Sequence, residues 1–380
     1  MGMTTNQRAA RGLVRYSIIA YLTAAESASI AEIQRAVAAR LGGVPASSVR
    51  SYLNINTPEM FERTARGQYR LRAVNGAASK QEPEADYAIG RAKLIHASCF
   101  DWLRTCEPRS IHAVVTDSPY GLIEYSDVEQ TKLRKGHGGV WRIPPSFDGR
   151  QRAPLPRFTV LDEGDLHVTH EFFLEFGQLL LRATVPGANV IVASNPLLAH
   201  VVSNAMTVAG LELRGQIVRL VMTMRGGDRP KKAHTEFADV SVMPHSMFEP
   251  WIVLRRPLDG RVQDNLRKWK TGGFRRPSAA RPFGVVIKSH PTPKSEKQIA
   301  PHPSLKPQAL LRALVRAALP MGEGVILDPF AGSGSTLAAA NAIGYNSIGL
   351  EKDAQYVAMA RRSIAKLAVL AVETIDPVDA

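Results

Sequence analysis

The sequence predicts an α/β fold, a wound sheet flanked by helices, preceded by a small helical domain that closes with a hairpin. Three observations carry this expectation. From about residue 88 onward, strand-like and helix-like segments alternate, as wound sheets require. Two strand-like segments run directly into tight turns, at 113–121 and 325–337. The first 72 residues show helical periodicity instead, and an aperiodic stretch sets them apart. A chain of 380 residues is long enough for two domains, each with its own core.

The elements follow in order. Val14, Ile18, Tyr21, Leu22 and Ala25 fall on one helical face. Arg8, Arg11 and Arg15 before the short apolar run mimic a secretory signal, but Tyr21 and Thr23 interrupt it, which favours a core-facing helix. Ser29 and Glu32 have capping-box spacing, in which each side chain satisfies a free backbone donor of the other. Ile30, Ile33, Val37 and Leu41 then mark a second helix, stopped at Gly42-Gly43. A third helix starts within Pro45–Ser48 and carries Val49, Arg50, Tyr52 and Leu53. Residues 61–71 form two strand-like runs about an Arg66-Gly67 turn. Three helices and a basic hairpin over residues 1–72 resemble a winged helix-turn-helix. In DNA-binding versions the third helix enters the major groove, which makes Arg50 a candidate DNA contact. A docking or dimerisation domain uses the same architecture, so that alternative stays open.

Residues 73–87 read as a linker, 88–372 as the main domain and 373–380 as a tail. Strands are expected at 113–116, 189–194, 217–223, 251–254, 324–327 and 347–350, with a helix over 171–183.

Charge points to the partner. The chain has 48 Lys and Arg against 34 Asp and Glu, a net charge of +14, which attracts polyanions irrespective of sequence. Residues 261–306 hold 11 basic side chains and two acids, with Trp269, Phe274 and Phe283 interleaved. Basic groups neutralise phosphates, while aromatics and glycines let a loop approach a groove or a base. Arg267, Lys268, Lys270, Arg275 and Arg276 are therefore candidate DNA contacts, the alternative being a solvated basic loop. A second irregular basic insertion spans about 122–165. The two cysteines, Cys99 and Cys106, form neither a disulfide framework nor a cysteine zinc site, which fits a reducing cytoplasm. No apolar run reaches the roughly 18 residues of a membrane span.

The sharpest segment for chemistry is 325–337, Val-Ile-Leu-Asp-Pro-Phe-Ala-Gly-Ser-Gly-Ser-Thr-Leu. An apolar strand ends in Asp328, turns through Gly332-Ser333-Gly334 and enters a helix at Ser335 or Thr336. Glycines let backbone amides approach a ligand, and a helix N-terminus favours a carboxylate or phosphate. A phosphate-binding Walker loop needs a lysine that does not follow here. A dinucleotide fingerprint needs Gly or Ala where Leu337 stands. The segment resembles the S-adenosylmethionine turn of class I methyltransferases, which implies a Rossmann-like fold and that cofactor. By this resemblance Asp328, Phe330, Ala331, Gly332, Ser333, Gly334, Ser335 and Thr336 line the cofactor site. Glu351, fifteen residues beyond Thr336 at the end of the next strand, stands where a carboxylate binds both ribose hydroxyls.

The second segment ends in Asp117-Ser118-Pro119-Tyr120. It resembles the D/N/S-P-P-Y/F/W motif of the amino-methylating DNA methyltransferases and departs from it only in having serine at 118. The chemistry explains the residue types. An exocyclic amine shares its lone pair with the base ring and is a poor nucleophile. Hydrogen bonds from the NH₂ to the Asp117 carboxylate and the Ser118 carbonyl draw the nitrogen toward tetrahedral geometry and free that pair. Tyr120 stacks on a base flipped from the duplex.

Catalytic turn first, basic insertion next and cofactor turn last is an order that resembles the beta group of these enzymes, a permuted arrangement covering roughly residues 90–370. Two further segments share the resemblance. His302-Pro-Ser-Leu-Lys-Pro307 is similar to the group's H-P-x-x-K-P segment beside the cofactor, which adds Lys306. In 94–103, Ala97 and Ser98 replace the usual Gly-Asp before Cys99, which puts Ser98 at a cofactor position. Target recognition is expected over about 226–300.

Some other chemistries fail on residue type. His170-Glu171 has leucine at 174 where a zinc protease needs histidine, and no metal is expected. Neither cysteine follows a proline, as cytosine-C5 methylation requires. The resulting expectation is a site-specific DNA adenine-N6 methyltransferase acting on double-stranded DNA, cytoplasmic, a homodimer by resemblance, with a cognate restriction endonuclease as a possible companion. Cytosine-N4 methylation and a non-catalytic DNA-binding regulator with a degenerate methyltransferase domain are the alternatives.

Overall fold

The computed structural model describes residues 17–18, 21–22, 25, 27–41, 45–55, 57, 61–71, 86–119, 163–225, 229–230, 232–302 and 304–375. The chain divides into two compact units at 83/84, with residues 160–168 grouping with the first.

In the first unit, β1 (Ala28–Ser29) leads into α1 (Ile30–Leu41) and α2 (Ala46–Ile55), followed by β2 (Phe61–Ala65) and β3 (Gln68–Leu71). The capping box forms as spaced. Ser29 donates backbone N and Oγ to the Glu32 carboxylate at 2.8 and 2.7 Å, and Glu32 N donates to Ser29 Oγ at 3.3 Å. These hydrogen bonds from Ser29 hold the Glu32 carboxyl below its ordinary pKa. The apolar face read from the sequence is the core: Ile18, Leu22, Ile33, Val37, Val49, Leu53, Phe61 and Tyr69 are buried together. Arg50 stays exposed on α2. The two-residue β1 pairs antiparallel with β3, an addition the periodicity did not predict. Val14 lies outside the described residues.

The second unit is built on a nine-stranded mixed sheet. Its elements are β4 (Asp86–Ile89), β5 (Ala92–His96), α3 (Cys99–Thr105), β6 (Ile111–Thr116), α4 (Glu163–Ala183), β7 (Thr184–Ala193), α5 (Ala199–Val208) and β8 (Glu212–Arg225). They continue with β9 (Ser246–Arg255), α6 (Val262–Trp269), β10 (Val286–Lys288), α7 (Lys294–Ile299), α8 (Gln308–Ala318), β11 (Val325–Asp328), α9 (Ser335–Ala342), β12 (Asn346–Glu351) and α10 (Ala354–Ala368). The sheet order is β10-β8-β9-β7-β6-β11-β12-β5-β4. β5, β12, β11, β6 and β7 pair in parallel, whereas β9 runs antiparallel to both β7 and β8.

Each expected strand is present. The hairpin β4–β5 and the short β10 were not expected, and β4 takes Asp86 and Tyr87 out of the predicted linker. Fully buried side chains such as Phe173, Phe176, Leu180, Trp251, Leu310 and Leu314 pack the two faces of the sheet. Each contributes roughly 1.5–3 kcal/mol relative to exposure.

The chain order reverses about β6, which lies between the later-formed neighbours β7 and β11. Wound sheets open a crevice at the carboxyl ends of strands at such a point. Asp117 follows β6 and Asp328 ends β11, so the two turns singled out in the sequence meet there.

Candidate functional site

Asp328 is almost completely buried and accepts a hydrogen bond from Thr116 Oγ1 at 2.7 Å, which ties the ends of β11 and β6 together. Phe330 N donates to the same carboxylate oxygen at 3.2 Å. Burial raises the Asp328 pKa to about 6; the Thr116, Thr336 and Phe330 hydrogen bonds oppose that rise and the Asp117 charge adds to it. A buried carboxyl of this kind is well placed to meet a cation.

The turn after it can be built only with glycine at two positions. Gly332 and Gly334 have φ of +51° and +79°, which L side chains rarely adopt. A Cβ on Gly334 would stand 2.4 Å from Ile364 on α10, and one on Gly332 would stand 3.2 Å from His302 Nε2. The result is a cradle whose glycine Cα atoms pack directly against Ile364 and His302. Glu351, at the end of β12, accepts Gly332 N at 2.8 Å and Asp353 N at 2.8 Å, locking the cradle to the neighbouring strand. Ser363 Oγ donates to Ser333 O at 2.7 Å, and Gln308 Nε2 to Ser335 O at 2.9 Å. Ala331, Ser333 and Thr336 are buried, Ser335 is half-buried, and Phe330 packs on Phe172 and Phe176. Ser98 follows β5, where Ala97 N donates to Glu351 O at 3.0 Å, so it too belongs to this edge.

His302 closes the cradle. Its ring meets Tyr356 edge-on at 4.5 Å and accepts Ser304 N at Nδ1, 3.2 Å. Burial and the Lys306 charge hold its pKa below the ordinary imidazole value, and Nε2 is the ring atom that faces Gly332.

Lys306, four residues beyond His302, reaches the Asp117 side of the crevice. Its Nζ lies 2.9 Å from Asp117 Oδ2 and 2.9 Å from Glu249 Oε1. Glu249 in turn binds Arg219 NH1 at 3.0 Å and Trp251 Nε1 at 3.1 Å. Arg219 is fixed by Ser289 Oγ at 3.0 Å and His290 O at 2.9 Å. Two carboxylates and two cations thus form one buried chain with no net charge. Burial holds the Asp117 pKa above its ordinary value, with Lys306 opposing and Glu249 adding to the rise. Burial acts the same way on Glu249, but Lys306 and Arg219 outweigh it and hold that pKa to about 2.

Asp117 Oδ1 is buried and has no hydrogen-bond partner among the described residues. The same holds for Ser118 Oγ, Ser194 Oγ and Asn195 Nδ2, which follow the ends of β6 and β7. Orphaned polar atoms are rare in folded proteins, and four at one sheet edge mark a place where a polar ligand completes the hydrogen bonding. Pro119 is exposed, and Tyr120 lies outside the described residues, as does most of the 122–165 insertion. Sequence reasoning missed Glu249, Arg219, Ser194 and Asn195. Register places the acid, since Glu249 stands opposite Arg219 on adjacent strands and Ser194 N donates to Pro250 O at 2.9 Å.

The basic stretch is not where the sequence suggested. Asn265 on α6 is fully buried and donates to Pro186 O at 2.9 Å, at the start of β7. Arg275 bonds Tyr345 Oη and its N donates to Ala317 O, at the beginnings of β11 and β12. Arg267, Lys268, Lys270, Arg275 and Arg276 therefore sit at the amino ends of the parallel strands, a strand length of about 20 Å from the Asp117 turn. Arg267 is paired with Asp264 at 3.0 Å and Lys268 with Asp259 at 2.7 Å. Phe274 and Phe283 stack on each other and pack against the core, so these aromatics are not free to reach a base. Packing of α6 and the following loop under the sheet is the reason. At the site's own edge, Arg229, Lys232, Lys288, Lys294 and Lys297 are exposed.

Among the described residues, no cluster of His, Cys, Asp and Glu is arranged to hold a metal, and no helix is long and apolar enough to cross a membrane. Cys99 and Cys106 are buried, and burial raises both thiol pKa values, Cys99 to about 12.

Parallel strands carry the glycine cradle and the Glu351 carboxylate on one side of a crevice, and the half-buried Asp117 carboxylate on the other. Comparison with known proteins is specific. Residues 251–362 match the N6/N4 family described as DNA methylase. The type II methyltransferase M.HindIII of Haemophilus influenzae is 25% identical over 278 residues, covering 66% of this chain and 88% of that protein. The DNA adenine methyltransferase YhdJ of Escherichia coli K12 is 43% identical over 63 residues, 17% of this chain and 21% of that one. A DNA modification methylase from Thermus thermophilus, solved with S-adenosyl-L-methionine, overlays with a TM-score of 0.45 at 17% identity, covering 74% of this chain and 95% of that one. Over residues 251–362 the chain is thus similar to the N6/N4 DNA methylases, and over 278 residues to a type II methyltransferase.

Proposed function

We propose that this protein transfers a methyl group from S-adenosylmethionine to the exocyclic N6 of adenine at a specific site in duplex DNA, on a base flipped from the helix. The single observation that carries the reading is Asp117 Oδ1, a buried acceptor with no partner among the described residues, at the strand end beside the Asp328 cradle. Cytosine N4 presents the same amine. Aspartate at 117 favours adenine, since by resemblance cytosine-N4 enzymes more often open this turn with serine. Incubating the protein with labelled cofactor and duplex DNA, then digesting to nucleosides, tests both points. N6-methyladenine is the expected product; N4-methylcytosine replaces the base assignment, and no methylated nucleoside favours the regulator reading.

The residues present fit the cofactor. The glycine turn at Gly332–Gly334 offers backbone amides to a ligand, Glu351 stands at the strand end for two hydroxyls, and Asp328 supplies a buried carboxylate for an ammonium group. The bound cofactor supplies an electrophilic methyl group on a sulfonium. Asp117 Oδ1 and the Ser118 carbonyl accept the two amine hydrogens, and His302 holds the turn from the side. The burial of Asp117 excludes water from that hydrogen bond, which strengthens it.

The Asp328 pKa makes a pH prediction. A cation binds its ionised form, so cofactor affinity rises as pH increases through about 6 and is fully present above it. Below that pH, affinity falls by up to about tenfold per unit, with proton uptake by Asp328 in the free protein. Calorimetric titration between pH 5 and 8 checks this, and Asp328→Asn is expected to flatten the dependence while weakening binding.

DNA, in this reading, approaches the carboxyl edge of the sheet, where Arg229, Lys232, Lys288, Lys294 and Lys297 face solvent. The N-terminal unit acts as a winged helix that adds affinity through Arg50 on α2 and through Arg63, Arg66 and Arg70 on the hairpin. Deleting residues 1–75 is expected to weaken DNA binding and lower its salt slope by about 0.9 for each phosphate no longer neutralised, leaving cofactor binding intact. Equal affinity and slope for the truncated chain at physiological salt would assign the unit to docking instead. A homodimer and a cognate endonuclease accompany the reading by resemblance.

A further inference from the structure

Glu249 is engaged by three donors, yet it sits one step removed from the reacting groups. It accepts Lys306, Arg219 and the Trp251 indole N–H, whereas Asp117 has Lys306 at one oxygen and, among the described residues, nothing at the other. Both carboxylates lie 2.9 Å from the same ammonium nitrogen, so they compete for one positive charge. The backbone leaves Glu249 little freedom. It faces Arg219 across the β8–β9 ladder, and that arginine is held by Glu249, Ser289 and His290 together.

We propose that Glu249 is a positioning residue for the Asp117 turn: it takes a share of the Lys306 ammonium, anchors that lysine at Asp117 Oδ2, and so keeps Asp117 Oδ1 an unshared, strongly basic acceptor for the target amine. This rests on the amino-methylation reading of Asp117.

The physical argument is a comparison of two arrangements. With Glu249 present, Lys306 divides its charge, and the nearby negative charge of Glu249 keeps the electron density on Asp117 high. Without that charge, Lys306 turns wholly to Asp117, and a carboxylate satisfied by a close ammonium is a weaker acceptor for a neutral amine. The groups that set the titration of Asp117 are Lys306, Glu249 and Arg219 on one side and Asp328 on the other, with His302 behind Lys306.

The test uses the full-length protein. Single-turnover methyl transfer at saturating cofactor and DNA is followed from pH 5 to 9 for the wild type, Glu249→Gln, Glu249→Asp and Asp117→Ala. In parallel, the ¹³C carboxyl resonance of Asp117, identified by its loss in Asp117→Asn, is titrated without cofactor or DNA. The expected result for Glu249→Gln is a fall of about 10–100-fold in the transfer rate, the size a small misplacement of a reacting group produces, with cofactor affinity unchanged. Its acid limb and the Asp117 resonance both move to lower pH, because a like charge has been removed. Glu249→Asp, which keeps the charge, retains the wild-type limb and recovers part of the rate. A purely structural role would lower the rate without moving either titration. Should Glu249→Gln fold poorly, the charge-balanced pair Arg219→Gln with Glu249→Gln is expected to move both titrations in the same direction by a smaller amount, because loss of Arg219 offsets part of the effect. An unmoved Asp117 titration, or transfer within twofold of wild type in the folded variant, overturns the proposal. Wild-type transfer by Asp117→Ala overturns the reading beneath it, and the two failures are distinguished by which variant shows them.

Discussion

Asp117→Ala is expected to lower single-turnover methyl transfer by about 10²–10³-fold, the cost of removing one preorganised hydrogen-bonding group from a transition state. The loss falls on the chemical step, because the amine's bond to Asp117 strengthens only as the nitrogen becomes tetrahedral. Stability should change little. Burial holds this carboxyl above its ordinary pKa, so its charge works against the fold once pH exceeds the unfolded value. Replacing it removes that cost, while Lys306 keeps Glu249 as a partner. The measurement is rapid-quench transfer at saturating cofactor and DNA, with the thermal midpoint recorded on the same sample. Near-normal transfer would remove Asp117 from the catalytic role.

Glu351→Ala should fail differently. Glu351 bonds Gly332 N and Asp353 N, so the substitution removes the carboxylate offered to the cofactor ribose and also frees the turn that carries the cradle. Hydrogen bonds to a charged group contribute about 1.5–3 kcal/mol, which corresponds to roughly 10–100-fold weaker cofactor binding. DNA affinity and the transfer rate at saturating cofactor should stay close to wild type. Glu351→Gln keeps an acceptor for Gly332 N and is expected to fall between the two. Equilibrium titration of the cofactor checks the ranking. Equal binding by the wild type and Glu351→Ala would mean the ribose is held elsewhere.

These two variants probe the features that were readable before any fold was known, and their legibility has a common cause. Asp117 and Asp328 each sit at the end of a short apolar run followed at once by a turn of special backbone chemistry. Gly332 and Gly334 are demanded by positive φ, which is a local property and leaves a local trace. The Ser29–Glu32 cap is likewise contained within four residues. The faces of α1 and α2 could be read because burial on a helix repeats every three to four positions.

The unreadable part is what register and packing bring together across long separations. Glu249 is an unremarked acid before an apolar strand until β8 and β9 pair and set it opposite Arg219, thirty residues away. Lys306 reaches Asp117 and Glu249 because the segment passes the Gly332 turn at His302 and continues toward β6, a meeting that its spacing along the chain does not show. The basic stretch misled for the same reason. Clustered charge shows that a segment is polar but not which end of a sheet it will cover, and Asn265 buried at the start of β7 decides that for α6. The chemistry available at each turn follows from the chain alone, since residue type and backbone conformation are local. Which charges share a site was settled by folding, because Coulomb interactions and buried hydrogen bonds depend on distances of a few ångströms that no spacing along the chain encodes.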